Sequence, residues 1–255
     1  MNIVVCIKQV PDVDDIKWTK ENNLDRSLML SKINKYDDWA LDWAIKIKSE
    51  TKDTKITALS MGPTGASREL EYALSKGADD AILLCDRAFA ASDTLATSKI
   101  LTSAIKKYLS NFDLILTGQM AVDGDTAQVP VSLAQMLDIF DITNAVNISC
   151  NDNFIVEQEL EDEIVTYEAK TPLLVAIKRE CDKKTLPKID DYIRAQNKEI
   201  KYVCFEDMDI SKEETGILGS PTYVYKAFRP QINKETKEIK ENYSKAISDI
   251  IGGIV

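Results

Sequence analysis

Residues 114–128 read LILTGQMAVDGDTAQ, and their pattern changes from an apolar run to a loop of small residues and then to a helix start. The run Leu114–Leu116 is short and continuously apolar, which is typical of a strand buried on both faces. A loop of small residues, Thr117–Gly124, follows it, and Asp125 and Gln128 then have the spacing of a capping box at a helix start. The stretch therefore predicts one strand–loop–helix unit.

Earlier parts of the chain repeat this alternation. Strands are predicted at three further apolar runs, Ile3–Ile7, Ile56–Met61 and Ala81–Cys85. Each is followed by a segment with apolar residues three and four positions apart, and Ser92 or Asp93 is placed to cap the last of these helices. Strands separated by single helices form parallel sheets with right-handed crossovers. The predicted fold class is α/β, with a Rossmann-like doubly wound parallel sheet.

The pattern changes near residue 145. Two half-polar alternating runs on either side of Glu161–Asp162 predict an added antiparallel hairpin over residues 153–170. Leu173–Ile177 is again a buried strand. After Pro187 the chain becomes more charged and poorer in core residues, and it ends in a polar stretch with weak helical periodicity. Such a tail more often docks on a partner than folds by itself.

Composition excludes several kinds of chemistry. With 32 Lys and Arg against 42 Asp and Glu, the net charge is −10, so we expect neither nucleic acid nor a membrane as partner. The chain has no histidine, which excludes histidine-based catalysis and imidazole metal ligands. Its 5 cysteines form no CxxC pair, so no metal site is expected. Without a visible signal peptide or long apolar stretch, the predicted location is cytoplasmic.

Four loops follow predicted strands at the sheet edge where open α/β sheets bind ligands. They are residues 9–15, 61–65, 85–93 and 118–128. Glycine lets backbone approach a phosphate, and a carboxylate binds ribose hydroxyls, so these loops suit a nucleotide. Asp123 and Asp125 are equally compatible with a purely local role as turn and N-cap residues. Neither GxGxxG nor GxxxxGK[ST] is present, and the pattern indicates a site that holds an adenine nucleotide rather than cleaves it.

Specific motifs go further than periodicity. They are, in chain order, Cys6–Asp12, Ser60–Pro63, Asp86–Ser98, Asp123–Gln128, Glu157–Leu160, Thr171–Ile177, Leu186–Pro187 and Gly219–Thr222. Each motif is weak alone, but in this order they span nearly the whole chain. Together they closely resemble the beta subunits of electron transfer flavoproteins.

That resemblance implies a heterodimer with an alpha subunit that carries FAD. It also implies three parts: a Rossmann-like domain over 1–185, a partner-recognition loop and helix over 186–204, and a C-terminal arm over 205–255 that wraps the alpha subunit. In one branch of the family the beta site holds AMP as a structural ligand. In the electron-bifurcating branch it holds a second FAD, which takes hydride from NADH and sends one electron to the alpha flavin and one to ferredoxin or flavodoxin. The motifs DGDTAQ and DRAFA…DTLATS resemble the second branch, so FAD is expected and AMP is the alternative.

The resemblance also places residues around the nucleotide. They are Cys6, Asn34, Met61, Asp93, Thr94, Thr97, Gly118, Asp123, Gly124, Asp125, Thr126, Ala127, Gln128 and Val129. Asp125 and Thr126 are expected to contact ribose or phosphate, and NADH is expected to approach near Met61. No side chain is expected to be catalytic, since hydride and one-electron chemistry are properties of the flavin.

Some positions depart from the family pattern. Asn34-Lys35 replaces the usual Asn-Pro, and the helix after Pro187 is more acidic than usual. The expected dehydrogenase partner is a flavin-dependent enzyme of the acyl-CoA or the 2-hydroxy-acid type, and the departure in the recognition helix favours the 2-hydroxy-acid type. A stand-alone adenine-nucleotide-binding regulatory module is the alternative from another class, but it would not explain the hairpin, the recognition loop or the arm. An adenylate-forming enzyme would need glycine-rich and histidine signatures that this sequence lacks.

Overall fold

The computed structural model describes residues 1–12, 31–151, 153–225 and 242–252. Its strands are β1 (Asn2–Ile7), β2 (Gln9–Pro11), β3 (Ser31–Ile33), β4 (Lys55–Met61), β5 (Asp80–Leu84), β6 (Leu114–Gly118), β7 (Phe140–Cys150), β8 (Phe154–Glu159), β9 (Ile164–Ala169), β10 (Leu173–Ile177) and β11 (Ile200–Val203). Its α-helices are α1 (Lys35–Glu50), α2 (Ser67–Lys76), α3 (Thr94–Tyr108), α4 (Val129–Leu137), α5 (Ile189–Gln196) and α6 (Tyr243–Gly252). Part of the predicted loop 9–15 and most of the far end of the predicted arm lie outside the described residues.

Within the described residues, nine strands form one sheet in the order β11-β5-β4-β1-β6-β10-β7-β8-β9. The seven strands from β11 to β7 are parallel, while β8 and β9 add an antiparallel hairpin. The α/β class, the parallel sheet and the hairpin are thus confirmed. From β1 the chain runs outward to β4 and β5, and β6 then pairs with the other side of β1, so strand order reverses between β1 and β6.

Helices cover both faces of the parallel region. One core joins α1 and α2 to inward residues of the central strands, among them Val5 and Leu116. A second core joins α3 and α4 to residues of opposite orientation, among them Val4 and Ile115. Because successive side chains of a strand point to opposite faces, these runs are apolar throughout. Because both faces of these strands are packed against helices, the carboxyl ends of the strands, where the candidate site lies, are held in place.

Four strands were not predicted. β2 and β3 pair with each other as a separate antiparallel two-stranded sheet. β7 carries Asp141 and the left-handed Asn144, whose φ is +52°, so its apolar alternation is broken. β11 lies inside the predicted recognition segment 186–204 and pairs with β5 at the far edge of the sheet. No helix of the described residues is both long and apolar enough to span a membrane.

The predicted capping box at Asp125 is wrong. α4 begins at Val129, and its N-cap is Gln128, which makes no side-chain capping bond. Asp125 lies outside the helix with a φ of +52°. β6 also continues to Gly118, two residues further than the predicted strand. The loop between strand and helix is therefore residues 119–128, which we call the nucleotide loop.

Candidate nucleotide site

The carboxyl ends of β1 and β6 meet where strand order reverses, the usual position of a ligand in an open α/β sheet. Asp37, in the first turn of α1, joins these two ends. Its carboxylate accepts the Lys8 N–H at 2.7 Å and the Gly118 N–H at 3.0 Å. The fit around Gly118 is close, since a Cβ there would lie 2.4 Å from Asp37 Oδ1. Gly118 is thus required for the approach of α1 to the sheet.

Asp37 is a buried carboxyl without a direct cationic partner in the described residues. Burial raises its pKa to about 7, against the opposing effect of the hydrogen bonds from Lys8, Asn34 and Gly118. Asp37 is not among the residues that the sequence analysis places at the site. The available signal was its position three residues after Asn34, a predicted site residue. The two strand ends that Asp37 joins are 29 and 81 residues away in the chain, so the sequence does not reveal the contact.

Cys6 lies near the end of β1 on the face covered by α3 and α4. Burial, with a smaller contribution from the Asp37 carboxylate, raises the pKa of its thiol to about 12. The thiol therefore stays protonated at neutral pH and packs as a small apolar group.

Asn34 anchors the nucleotide loop. It is buried, its side-chain amide donates to the Met120 carbonyl at 2.9 Å, and its side-chain oxygen accepts the Val122 N–H at 3.1 Å. Its own N–H donates to the Lys8 carbonyl at 2.9 Å. The structure therefore places this predicted site residue behind the loop, where it holds backbone in position.

The tip of the nucleotide loop is exposed and unusually shaped. Asp125 and Ala127 have left-handed φ values of +52° and +53°. The N–H groups of residues 126–128 have no hydrogen-bond acceptor among the described residues. Successive free N–H groups in such a backbone form a concave site for an anion. A Cβ on Gly124 would touch nothing within 4 Å, so the approach to this backbone is open.

Charged and polar groups surround that tip. Lys8 Nζ lies 2.7 Å from Asp123 Oδ1, with both side chains partly exposed. Thr94, the first residue of α3, donates its hydroxyl to Gln128 Oε1 at 2.7 Å and so joins the starts of α3 and α4. Helix N-termini carry partial positive charge, so the joined ends favour an anion in the same place.

The remaining predicted residues lie around this centre. Met61 ends β4 and Val129 begins α4, and both are partly buried against the core beneath α3 and α4. Thr97 lies one turn into α3 and is half-buried. Thr117, at the end of β6, has a buried hydroxyl with no hydrogen-bond partner among the described residues.

Asp93 is already engaged within the chain. One carboxylate oxygen caps α3 by accepting the Ala96 N–H at 3.0 Å. The other accepts the N–H and the hydroxyl of Thr222 at 3.1 Å and 2.8 Å. Burial alone would raise its pKa, but the bonds from Ala96 and Thr222 outweigh it and lower the pKa, so Asp93 stays ionised. Its predicted nucleotide contact stays a prediction.

Fold and site together define a doubly wound α/β module with a candidate nucleotide site at the switch point of its sheet. The family model described as "Electron transfer flavoprotein domain" matches residues 26–204. The chain is 39% identical over 254 residues to "Electron transfer flavoprotein subunit beta" of Thermoanaerobacterium thermosaccharolyticum, covering 98% of this chain and 96% of that one. It is 38% identical over 232 residues to "Caffeyl-CoA reductase-Etf complex subunit CarD" of Acetobacterium woodii, at 90% and 88% coverage. It is 37% identical over 251 residues to "Protein FixA" of Azotobacter vinelandii, at 95% and 89% coverage. The chain belongs to the electron transfer flavoprotein family, and it matches the beta subunits of that family.

Proposed function

We propose that this beta subunit pairs with an alpha subunit and binds FAD at the nucleotide loop. The observation that carries the proposal is that the N–H groups of residues 126–128, beside left-handed Asp125 and Ala127, donate to no acceptor in the part of the chain that the structure describes. A diphosphate would accept from these groups at the joined starts of α3 and α4. The Thr117 hydroxyl at the end of β6, which has no hydrogen-bond partner within the described residues, would be a second polar group available to a ligand there.

The chain's own residues divide the work of binding. The N–H groups of residues 126–128 would hold the phosphate oxygens, and the Asp125 carboxylate would accept from ribose hydroxyls. Gly124 would leave room for the ligand, since nothing lies within 4 Å of its missing side chain. Lys8 would add positive charge beside the phosphates.

When bound, FAD would supply the redox chemistry, with NADH as hydride donor and two one-electron acceptors, the alpha-subunit flavin and ferredoxin or flavodoxin. The motifs DGDTAQ and DTLATS support this bifurcating role over an AMP-holding one. No catalytic side chain is assigned, and this chain's contribution is to bind and orient the nucleotide.

A flavin-dependent dehydrogenase is the proposed partner at the segment 186–196. Its exposed apolar side chains suit a docking surface: Leu186 is 71% exposed, Ile189 80% and Ile193 54%. The name of the Acetobacterium relative includes caffeyl-CoA reductase, which favours a partner of the acyl-CoA type over the 2-hydroxy-acid type.

The test counts nucleotides released on denaturing the complex purified with its alpha subunit. Two FAD and no AMP per heterodimer would support the proposal, whereas one FAD with one AMP would make this chain a simple electron-carrier subunit. Absence of flavin would refute the proposed function.

A matched pair of variants locates the site. Asp125→Ala and Asp138→Ala remove exposed carboxylates at residues with similar φ, +52° and +56°, at opposite ends of α4. Loss of one hydrogen bond with a charged partner should weaken nucleotide binding about tenfold in Asp125→Ala. Asp138→Ala should bind like the wild type. Equal affinities for the two variants would contradict the assignment of Asp125.

A further inference from the structure

Residues 205–222 begin the predicted arm and pack in part on the body of the domain; we call this segment the arm base. Phe205 and Met208 contact the core beneath α3, and Thr215 is buried. By contrast, Tyr223 and Tyr225 beyond it are 78% and 88% exposed. The arm base is thus attached to this domain, although Ile217 and Leu218 within it are 69% and 68% exposed and residues 221–225 are all exposed.

The arm base contacts α3 along its length, through pairs such as Lys99–Glu214 and Tyr108–Asp207, and it also contacts the residues next to the start of α3. The Gly216 N–H donates to the Ser92 hydroxyl at 3.1 Å, and the Asp93 N–H donates to Ser220 Oγ at 2.8 Å. Asp93 also accepts two hydrogen bonds from Thr222. The contact is close, because a Cβ on Gly216 would lie 2.4 Å from the Ala88 carbonyl oxygen.

Thr94, the residue after Asp93, contacts the nucleotide loop and not the arm base. Thr94 donates to Gln128, which is the N-cap of α4 and the last residue of the nucleotide loop. Its position follows from that of Asp93, since Asp93 is the N-cap of α3 and Thr94 is the first helical residue. Three consecutive residues therefore bind the arm base on one side and the nucleotide loop on the other.

We propose that Ser92-Asp93-Thr94 is a junction that couples the nucleotide loop to the arm base, with Asp93 as its positioning residue. The proposal rests on the proposed function, and it adds a regulation of that site. Order in the arm base stabilises the first turn of α3, and that turn holds Gln128 and the free N–H groups before it. Coupling between two sites is reciprocal, so nucleotide in the loop also stabilises the arm base. Partner docking on the exposed chain beyond Thr222 would then strengthen nucleotide retention.

The test uses the double variant Ser220→Ala/Thr222→Val in the full complex. It removes two hydroxyls that contact Asp93 and leaves the nucleotide loop unaltered. Ser211→Ala is the matched control, because among the described residues its hydroxyl bonds only to Glu214, at 3.3 Å within the arm base. AMP, which presents the adenosine and phosphate of FAD, is the probe for calorimetric titration after removal of bound nucleotide. The double variant should bind AMP about fivefold or more weakly than the control. Ser220→Ala with Thr222→Ser, which restores one hydroxyl, should recover part of the loss.

Hydrogen exchange gives a readout that does not depend on nucleotide. In nucleotide-free complex, peptides covering residues 119–128 should exchange faster in the double variant than in Ser211→Ala. Adding AMP to the wild type should slow exchange over residues 216–222. Unchanged exchange in the nucleotide loop of the double variant would overturn the junction, whether or not AMP binds. If the wild type binds neither AMP nor FAD while the loop still responds, the proposed function fails and the mechanical coupling stands.

Discussion

Gly118→Ala is expected to destabilise the protein by about 3 kcal/mol. The added Cβ would lie 2.4 Å from Asp37 Oδ1 and 2.5 Å from Tyr36 Cβ, well inside van der Waals contact. Neither neighbour moves freely. Asp37 is buried with its two oxygens bonded to separate strand ends, and Tyr36 Cβ is attached directly to the backbone of α1.

The magnitude has two parts. Inserting a methyl group into a packed site typically costs about 1–3 kcal/mol. Pushing Asp37 away also stretches the hydrogen bond from Gly118 N–H to a buried carboxylate, and such charged bonds contribute about 1.5–3 kcal/mol each. Partial relaxation makes the two costs less than additive, which gives the figure above. For a chain of this size it corresponds to a melting temperature lower by about 6–12 °C.

Thermal unfolding of the wild type, Gly118→Ala and Gly65→Ala measures the effect. Gly65 is the control, because a Cβ there would have nothing within 4 Å. Its variant should stay within about 0.5 kcal/mol of the wild type. Equal melting temperatures for the two variants would show that α1 shifts freely at this point, and would refute the idea that Asp37 rigidly joins β1 and β6.

Two further predictions concern buried charge. The Asp37 carboxyl titrates near 3.8 when unfolded and at about 7 when folded, so the folded state binds its proton more tightly. Its contribution to the free energy of unfolding is therefore lost as the pH rises from about 4 to about 7, and urea titrations should show the wild type losing stability relative to Asp37→Asn over that range; a constant difference would contradict this. Lys76, whose side chain is fully buried, lies 2.7 Å from each of Asp38 and Asp42, so Lys76→Met should cost about 3–5 kcal/mol. The same change at Lys46, which pairs with an exposed carboxylate, should cost less than about 1 kcal/mol, and similar urea midpoints for both would refute the distinction.

The parallel sheet was predictable because its signals are local. Leu173–Ile177 is buried at every position, and β1 is buried over most of its length, as a strand covered on both faces should be. A continuous apolar run predicts a buried strand even when the strands that pair with it are unknown. β11 gave no such signal, since two of its four residues are exposed and its pairing with β5 lies more than a hundred residues away in the chain. Edge strands are defined by partners that the sequence does not display.

The capping-box error has a physical reason. Asp125 and Gln128 have the right spacing, but the Gln128 side chain accepts from Thr94 on α3 and does not turn back to its own helix. Gln128 thus bonds to Thr94 of another helix, in place of the capping bond that its spacing from Asp125 predicts. The loop before the helix contains two left-handed residues, and the N–H groups of residues 126–128 have no acceptor among the described residues. Such a backbone suits an anion.

For the predicted site residues too, the sequence gives a position in the chain but does not show what each side chain contacts. The motifs name segments, but only coordinates show that Asn34 and Gly118 face the protein while most of residues 123–128 are exposed. Asp93 is the instructive case, because an acid at a helix start beside a nucleotide loop suggests a ligand contact. Both of its oxygens are instead occupied, one by the helix and one by Thr222. If nucleotide binding recruits Asp93, it must first release Thr222, so a direct ligand contact and the coupling proposed above predict opposite changes in the exchange of the arm base.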